Sequence, residues 1–171
     1  QGTRGGMARG LVAGAILAAL LLVYLPFFDN PAVFDDHNII TNLAAFDHAL
    51  TAFSREPRTF PYFTIGFVHV LARGDLVPNR VLNCVLHALV IAALFCFLRR
   101  ATRMSGLADE RRDLVIGFVC LWAAINPLAV YGVGYLIQRT LVFAALFGIV
   151  SVTLYLRAQQ EGRRSDLFFA A

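Results

Sequence analysis

Four stretches of the chain are predominantly apolar and stand out as long enough to cross a bilayer as helices: residues 11–28, 81–98, 114 to about 131, and 141–156. A crossing helix needs roughly twenty apolar residues, so the fourth is short and its ends are soft. None of the four alternates at period two, which favours helices over half-buried strands. The predicted fold class is therefore all-α, a polytopic transmembrane helical protein.

A fifth apolar stretch, residues 60–73, is rich in aromatics but has only fourteen residues. That length falls short of a crossing, and the stretch reads as a helix lying in the interface, with Tyr62 and the phenylalanines at headgroup depth. Taken instead as a crossing, it would reverse the next segment and put the loop at 99–112 outside. Residues 39–53 alternate loosely between apolar and polar. The connection at 29–80 is thus a structured loop bearing helices parallel to the membrane.

Arginines set the orientation. Arg4 and Arg9 precede the first segment, Arg99, Arg100, Arg103, Arg111 and Arg112 separate the second from the third, and Arg157, Arg163 and Arg164 follow the fourth. Positive charge in alternate loops places those loops, and the N-terminus, in the cytoplasm. The loop at 29–80 and the shorter one at 126–139 then face the other side. The first segment reads as an uncleaved helix, because Leu25-Pro26-Phe27-Phe28 offers no small-residue cleavage site. Gly10, Gly14 and Ala18 fall on one face of it and would permit close helix packing. Residues 1–6, ahead of Met7, read as a tag remnant or an upstream translation. Ser165-Asp166 looks like a further helix start, so residues 1–171 are expected to be one transmembrane region, the N-terminal part of a longer chain.

Composition agrees: 58% of residues are apolar, mean hydropathy is +0.67 and only 15% are charged, far from the make-up of a soluble domain. All fifteen basic residues are arginines. They are dispersed in short loops with no basic face and interleaved aromatics, which argues against a nucleic-acid partner. Cys84, Cys96 and Cys120 lie inside apolar segments without metal-ligand spacing and are expected to pack as small hydrophobes.

Candidate chemistry begins with Asp35 and Asp36, just past the first segment. Two adjacent carboxylates at a membrane surface repel each other, which raises a proton affinity unless a cation or substrate intervenes, and a general base could be made this way; the bland alternative is an acidic loop flanking a helix. Arg58 precedes the short aromatic helix, Asn83 and His87 sit four apart on one face of the second segment, and Gln138 and Arg139 open the fourth. Ionisable groups in or beside a span are costly unless they meet a cavity or a partner, and arginine offers a fork suited to phosphate. The duller readings are that Arg58 and Arg139 snorkel at the border and that Asn83 and His87 hydrogen-bond between helices. His69 reads as structural, and His37 and His48 lack the spacing of metal ligands. There is no glycine-rich phosphate loop, nucleophile elbow or zincin motif.

In their order along the chain, Phe34-Asp35-Asp36 with Asn38 and Asn42, Arg58-Thr59-Phe60-Pro61-Tyr62-Phe63-Thr64, Pro78-Asn79-Arg80-Val81-Leu82-Asn83 through His87-Ala88-Leu89, Asn126-Pro127-Leu128 and Tyr135-Leu136-Ile137-Gln138-Arg139-Thr140 form a recognisable series. The sequence resembles the N-terminal part of the C superfamily of membrane glycosyltransferases (GT-C), most closely the O-mannosyltransferases with transmembrane segments followed by tetratricopeptide repeats, and their bacterial relatives. The resemblance spans about residues 24–157. It implies a bacterial inner-membrane enzyme that transfers a sugar, with inversion, from a polyprenyl-phosphate donor to a protein, glycan or lipid acceptor on the extracytoplasmic face, with membrane lipids around it. It implies catalysis by the aspartate pair, with Asp36 nearer the acceptor and Asp35 a metal or positioning partner, and donor or substrate contacts from Arg58, Asn83, His87, Gln138 and Arg139. A divalent metal ion is the one cofactor it admits, and activity would need helices beyond this chain. Two departures leave the acceptor class open: Asn126 replaces a histidine, and Gln138-Arg139-Thr140 replaces a more charged run. The competing class is a non-enzymatic polytopic membrane protein, a transporter part or assembly scaffold, in which the charged residues form an ion-pair network or an ion path.

Overall fold

A computed structural model describes residues 2–32, 36–37, 58–103 and 108–161 of the chain, and every regular element among them is helical. The order is α1 (Gly2–Tyr24), a 3-10 turn (Leu25–Phe27), α2 (Thr59–Leu71), α3 (Val77–Ala101), α4 (Asp109–Ile125), α5 (Pro127–Gly134) and α6 (Arg139–Glu161). Three helices are long and apolar enough to cross a membrane: Gly10–Phe27, Val77–Ala101 and Arg139–Glu161. Each of the corresponding helices is longer than its apolar run, since extending a formed helix adds one backbone hydrogen bond per residue fixed. Helix α1 accordingly starts at Gly2, within the segment read as a tag remnant.

The third apolar stretch is not one straight helix. It breaks at Asn126 into Arg111–Ile125 and Pro127–Gly134, bent by 50°. The cause is local. The residue before a proline is pushed out of the α region, and Asn126 is extended at φ −60°, ψ 133°. Pro127 then serves as a first helical residue, where its missing N–H costs nothing, and the Asn126 side chain caps the new helix by accepting the N–H of Leu128 at 2.9 Å. What reads in the sequence as a plain connection after residue 126 thus contains the eight-residue α5.

Helix α3 is the spine of the molecule, packed against α6 along much of its length and against α1, α2, α4 and α5. Leu20, Tyr24, Cys84, Ile91, Ile116, Cys120, Ala124 and Val133 form the main core, and a smaller one joins Ile65 to Leu136. Cys84 and Cys120 are buried as expected of small hydrophobes, whereas Cys96 is exposed. Many large apolar side chains face outward, among them Leu22, Phe118, Trp122 and Leu128. The short helix α2 packs on α3 and α6. It is turned into α3 by Arg73 and Gly74, both in the left-handed region at φ 53° and 91°, while Asp75 caps α3 by accepting the N–H of Val77.

The close helix approach lies elsewhere than the small-residue face of α1 suggests. Space around Gly10 and Gly14 is open, whereas a Cβ at Gly117 would stand 2.7 Å from a methyl of Val12. Val12 is β-branched and stiff at χ1, so α1 and α4 would have to separate. Gly117→Ala is expected to destabilise by about 1–3 kcal/mol, while Gly14→Ala should be neutral or slightly stabilising. Unfolding titrations in detergent would compare the two, and equal effects would place the contact wrongly.

Candidate functional site

Broken helices expose backbone polar groups that must find partners. The break at Asn126 and the end of α5 at Gly134 release several, and the polar side chains of α3 collect them. Asn83 donates its amide N–H groups to the carbonyls of Val133 (3.2 Å) and Tyr135 (3.3 Å). His87 bonds through Nε2 to the carbonyl of Ala124 at 3.2 Å, and since a carbonyl only accepts, Nε2 carries the proton. Tyr24 donates to the same carbonyl and meets the His87 ring edge-on at 5.8 Å. Asn83 and His87 are therefore interhelical hydrogen bonders, turned towards different carbonyls.

The turn at Tyr135–Gln138 also presents N–H groups, and Asp36 takes two of them. One carboxylate oxygen accepts from Leu136 at 2.9 Å and the other from Ile137 at 3.0 Å. Asp36 is only 2% exposed. Its charge faces two buried arginines, Arg80 and Arg139. Arg80 donates to the carbonyls of Phe28 (2.5 Å) and Pro31 (3.0 Å), pinning the segment after α1 onto the start of α3.

Arg139 is fully enclosed, at 0% exposure. Its Nε donates to Asn83 Oδ1 at 2.6 Å, Nη1 to Thr64 Oγ1 at 3.1 Å, and Nη2 to both the carbonyl (2.9 Å) and Oδ1 (2.8 Å) of Asn79. Asn79 in turn donates to the carbonyl of Ile65 at 3.3 Å. One guanidinium thus clamps α2, α3 and the start of α6. This is neither a snorkelling side chain nor one presented to solvent.

The remaining candidate residues lie apart from this network. Arg58 is exposed at the start of α2. Gln138 is half-buried and takes part through its carbonyl, which accepts from Leu141 and Val142. Asp35, Asn38, Asn42 and His48 lie outside the described residues. Thr64, Asn79 and Arg80 belong to the network although sequence reasoning gives them no role. Their signal is nevertheless present: Asn79, Asn83 and His87 recur at four-residue spacing inside an otherwise apolar helix, a polar stripe that must be met by partners.

The fit to a metal ion is poor among the described residues. No three His, Cys, Asp or Glu side chains converge, and both Asp36 oxygens are already occupied by backbone donors.

At the opposite end of the helices the arginines are paired with acids: Arg99 with Asp113 at 3.1 Å, Arg100 with Glu161 at 3.3 Å and Arg112 with Asp109 at 2.6 Å. The two ends of the bundle are chemically distinct. One carries Asp36, Arg80 and Arg139 in a closed network, the other an open cluster of guanidiniums. Comparison of the chain with family models, curated proteins and solved structures gives no match.

Proposed function

We propose that the chain is the N-terminal part of an inverting membrane glycosyltransferase of the GT-C type, with a polyprenyl-phosphate sugar as donor. The observation that carries this reading is the bond of Asp36 to Leu136 and Ile137: the acidic motif of the first loop and the Tyr135–Thr140 motif, a hundred residues apart in sequence, meet directly. In this reading α1, α3, the bent pair α4–α5 and α6 span a bacterial inner membrane, with α2 at the interface. The N-terminus and the arginine-rich end are cytoplasmic, and the Asp36 end is extracytoplasmic. A cysteine placed near Asn42 should be labelled by an impermeant reagent from the extracytoplasmic side; labelling from the cytoplasmic side alone would overturn the orientation.

In this reading the two aspartates have separate tasks. With both oxygens held by backbone N–H groups, Asp36 positions the loop. Asp35 is then the general base. It takes the proton of an acceptor hydroxyl on a protein, glycan or lipid as that oxygen attacks the anomeric carbon, and the bond from that carbon to the donor phosphate oxygen breaks. Arg58 meets the charge of the departing polyprenyl phosphate, and the clamp around Arg139 holds α2, and with it Arg58, in place. Asp35→Asn in the full-length protein should leave folding intact and lower sugar transfer by at least about a hundredfold. Undiminished transfer would remove Asp35 from the chemistry.

One observation favours the second reading, a non-enzymatic scaffold or transporter part. Arg139 and Asp36 are so thoroughly engaged that they suffice as architecture alone. In that case no variant of Asp35 would change any transfer reaction, and the same assay distinguishes the two.

A further inference from the structure

The end of the bundle opposite Asp36 holds two adjoining hollows. The first is an apolar groove of about 360 Å³ between α1 and α3, walled by side chains such as Ile16, Leu20, Ala88, Ala92 and Phe95. The second is a cleft of about 460 Å³ lined by Arg99, Arg100, Arg103 and Arg112 with a single acid, Asp109. Cys96 lines both. The continuity is written in α3. Ala88, Ala92 and Cys96 recur at four-residue spacing, with Phe95 and Arg99 four apart beside them, so one helix face passes from apolar to basic over about 16 Å. The alanines create the hollow, because a larger side chain at Ala88 or Ala92 would fill it.

From this arrangement we infer that the two hollows together form a binding site for one anionic phospholipid, its phosphate among the arginines and an acyl chain along the α1–α3 groove. Neither half alone selects that ligand. A helix could fill the groove without needing a basic cleft at its mouth, and a soluble anion would have no use for the groove; an amphiphile uses both. Basic pockets between spans are suited to anionic headgroups. The acids nearby do not neutralise the cleft. Arg103 has no acidic partner among the described residues, and Arg112 is buried with its Nε lacking a hydrogen-bond acceptor among them. The Arg100–Glu161 pair is part-exposed, and such a pair is held weakly enough for a phosphate to recruit the guanidinium. This inference rests on the bilayer-spanning reading above and not on the glycosyltransferase chemistry.

The chain has one tryptophan, Trp122, which is exposed on α4 away from both hollows. It reports the general lipid surroundings. A second protein carrying Trp122→Phe and Phe95→Trp has its only tryptophan in the groove. Both are reconstituted in phosphatidylcholine vesicles into which brominated phosphatidylglycerol or brominated phosphatidylcholine is titrated, and quenching is read. The groove reporter should prefer the anionic lipid by on the order of fivefold or more, with Trp122 quenched equally by both. Adding Arg100→Gln and Arg103→Gln, at a part-exposed and an exposed position, should abolish the preference and leave Trp122 quenching unchanged.

Equal quenching of the groove reporter by the two lipids would overturn the site, as would a preference that survives loss of both arginines, or a reporter that no lipid reaches because protein fills the groove. Reversal of the preference by millimolar inorganic phosphate would reassign the cleft to a soluble anion. Failure of either lipid to quench Trp122 would sink the bilayer-spanning reading itself, which keeps the two failures distinguishable.

Discussion

Arg139→Ala is expected to unfold the Asp36 end of the bundle, at a cost of about 3–5 kcal/mol, the range for breaking a buried charged network by removing one member. Four hydrogen bonds go at once, to Asn79, Asn83 and Thr64. Their acceptors are left facing a hollow, and each buried acceptor without a donor carries a further penalty. Burying the guanidinium is itself costly, so the native arrangement is not a store of surplus stability; its loss is expensive because Asp36 and the asparagines are built around it. Arg139→Lys should restore less than half. An ammonium has the charge but not the planar fork that reaches three residues on two helices. Denaturant titration in detergent, followed by far-UV circular dichroism, gives the numbers. Wild-type stability in the alanine variant would show that the clamp contributes nothing, and full rescue by lysine that the charge suffices without the fork. A residue devoted instead to gripping a donor phosphate would lose ligand affinity and keep its stability.

The helices are legible in the sequence because long, predominantly apolar runs leave a chain few alternatives, and the polar residues that matter stand out within them. Asp36, Asn83, His87 and Arg139 are conspicuous for that reason alone, as polar groups in or beside a span. Their partners are not legible. Asn83, His87 and Asp36 bind backbone groups that are released where a helix ends. The break at Asn126 decides which ones do. That break is itself readable from the Asn-Pro pair, but reading it requires treating 114–131 as two helices and not one span. Packing faces show a different limit. Gly10, Gly14 and Ala18 make a tidy stripe, yet the close approach is at Gly117, because spacing says which residues share a face and not which face has a neighbour. For the same reason Arg139 can be drawn from the sequence as snorkelling or as gripping phosphate, but not as a clamp on Asn79, Asn83 and Thr64. Those contacts to Asn79 and Thr64 bring together residues 60 and 75 positions distant.

Asp36→Asn is expected to destabilise by about 3–5 kcal/mol even though the side chain keeps its shape. Asparagine offers one acceptor oxygen where the carboxylate offered two. Either Leu136 or Ile137 would then point its N–H at an NH2 group, losing a charge-assisted bond worth about 1.5–3 kcal/mol. The larger part of the cost comes from charge: Asp36 faces both Arg80 and Arg139, and its neutralisation removes the facing carboxylate of Arg139 and leaves Arg80 with Asp29 alone. Asp36→Glu preserves the charge but adds a methylene at a site that is 2% exposed, so its oxygens cannot meet the same two N–H groups and it should recover only part of the loss. The electrostatic share can be isolated by a double-mutant cycle with Arg139→Gln. The two changes should be less than additive by about 0.5–3 kcal/mol, the coupling expected of residues in one network. Additivity would mean that Asp36 serves the backbone turn alone. The same variants separate anchor from base. On the proposed glycosyltransferase reading, a proton-accepting Asp36 would give an Asp36→Asn variant that folds with native stability and fails only in transfer; an anchoring Asp36 would give one that loses stability and transfer together, with Asp35→Asn then expected to lose transfer with its unfolding midpoint unmoved.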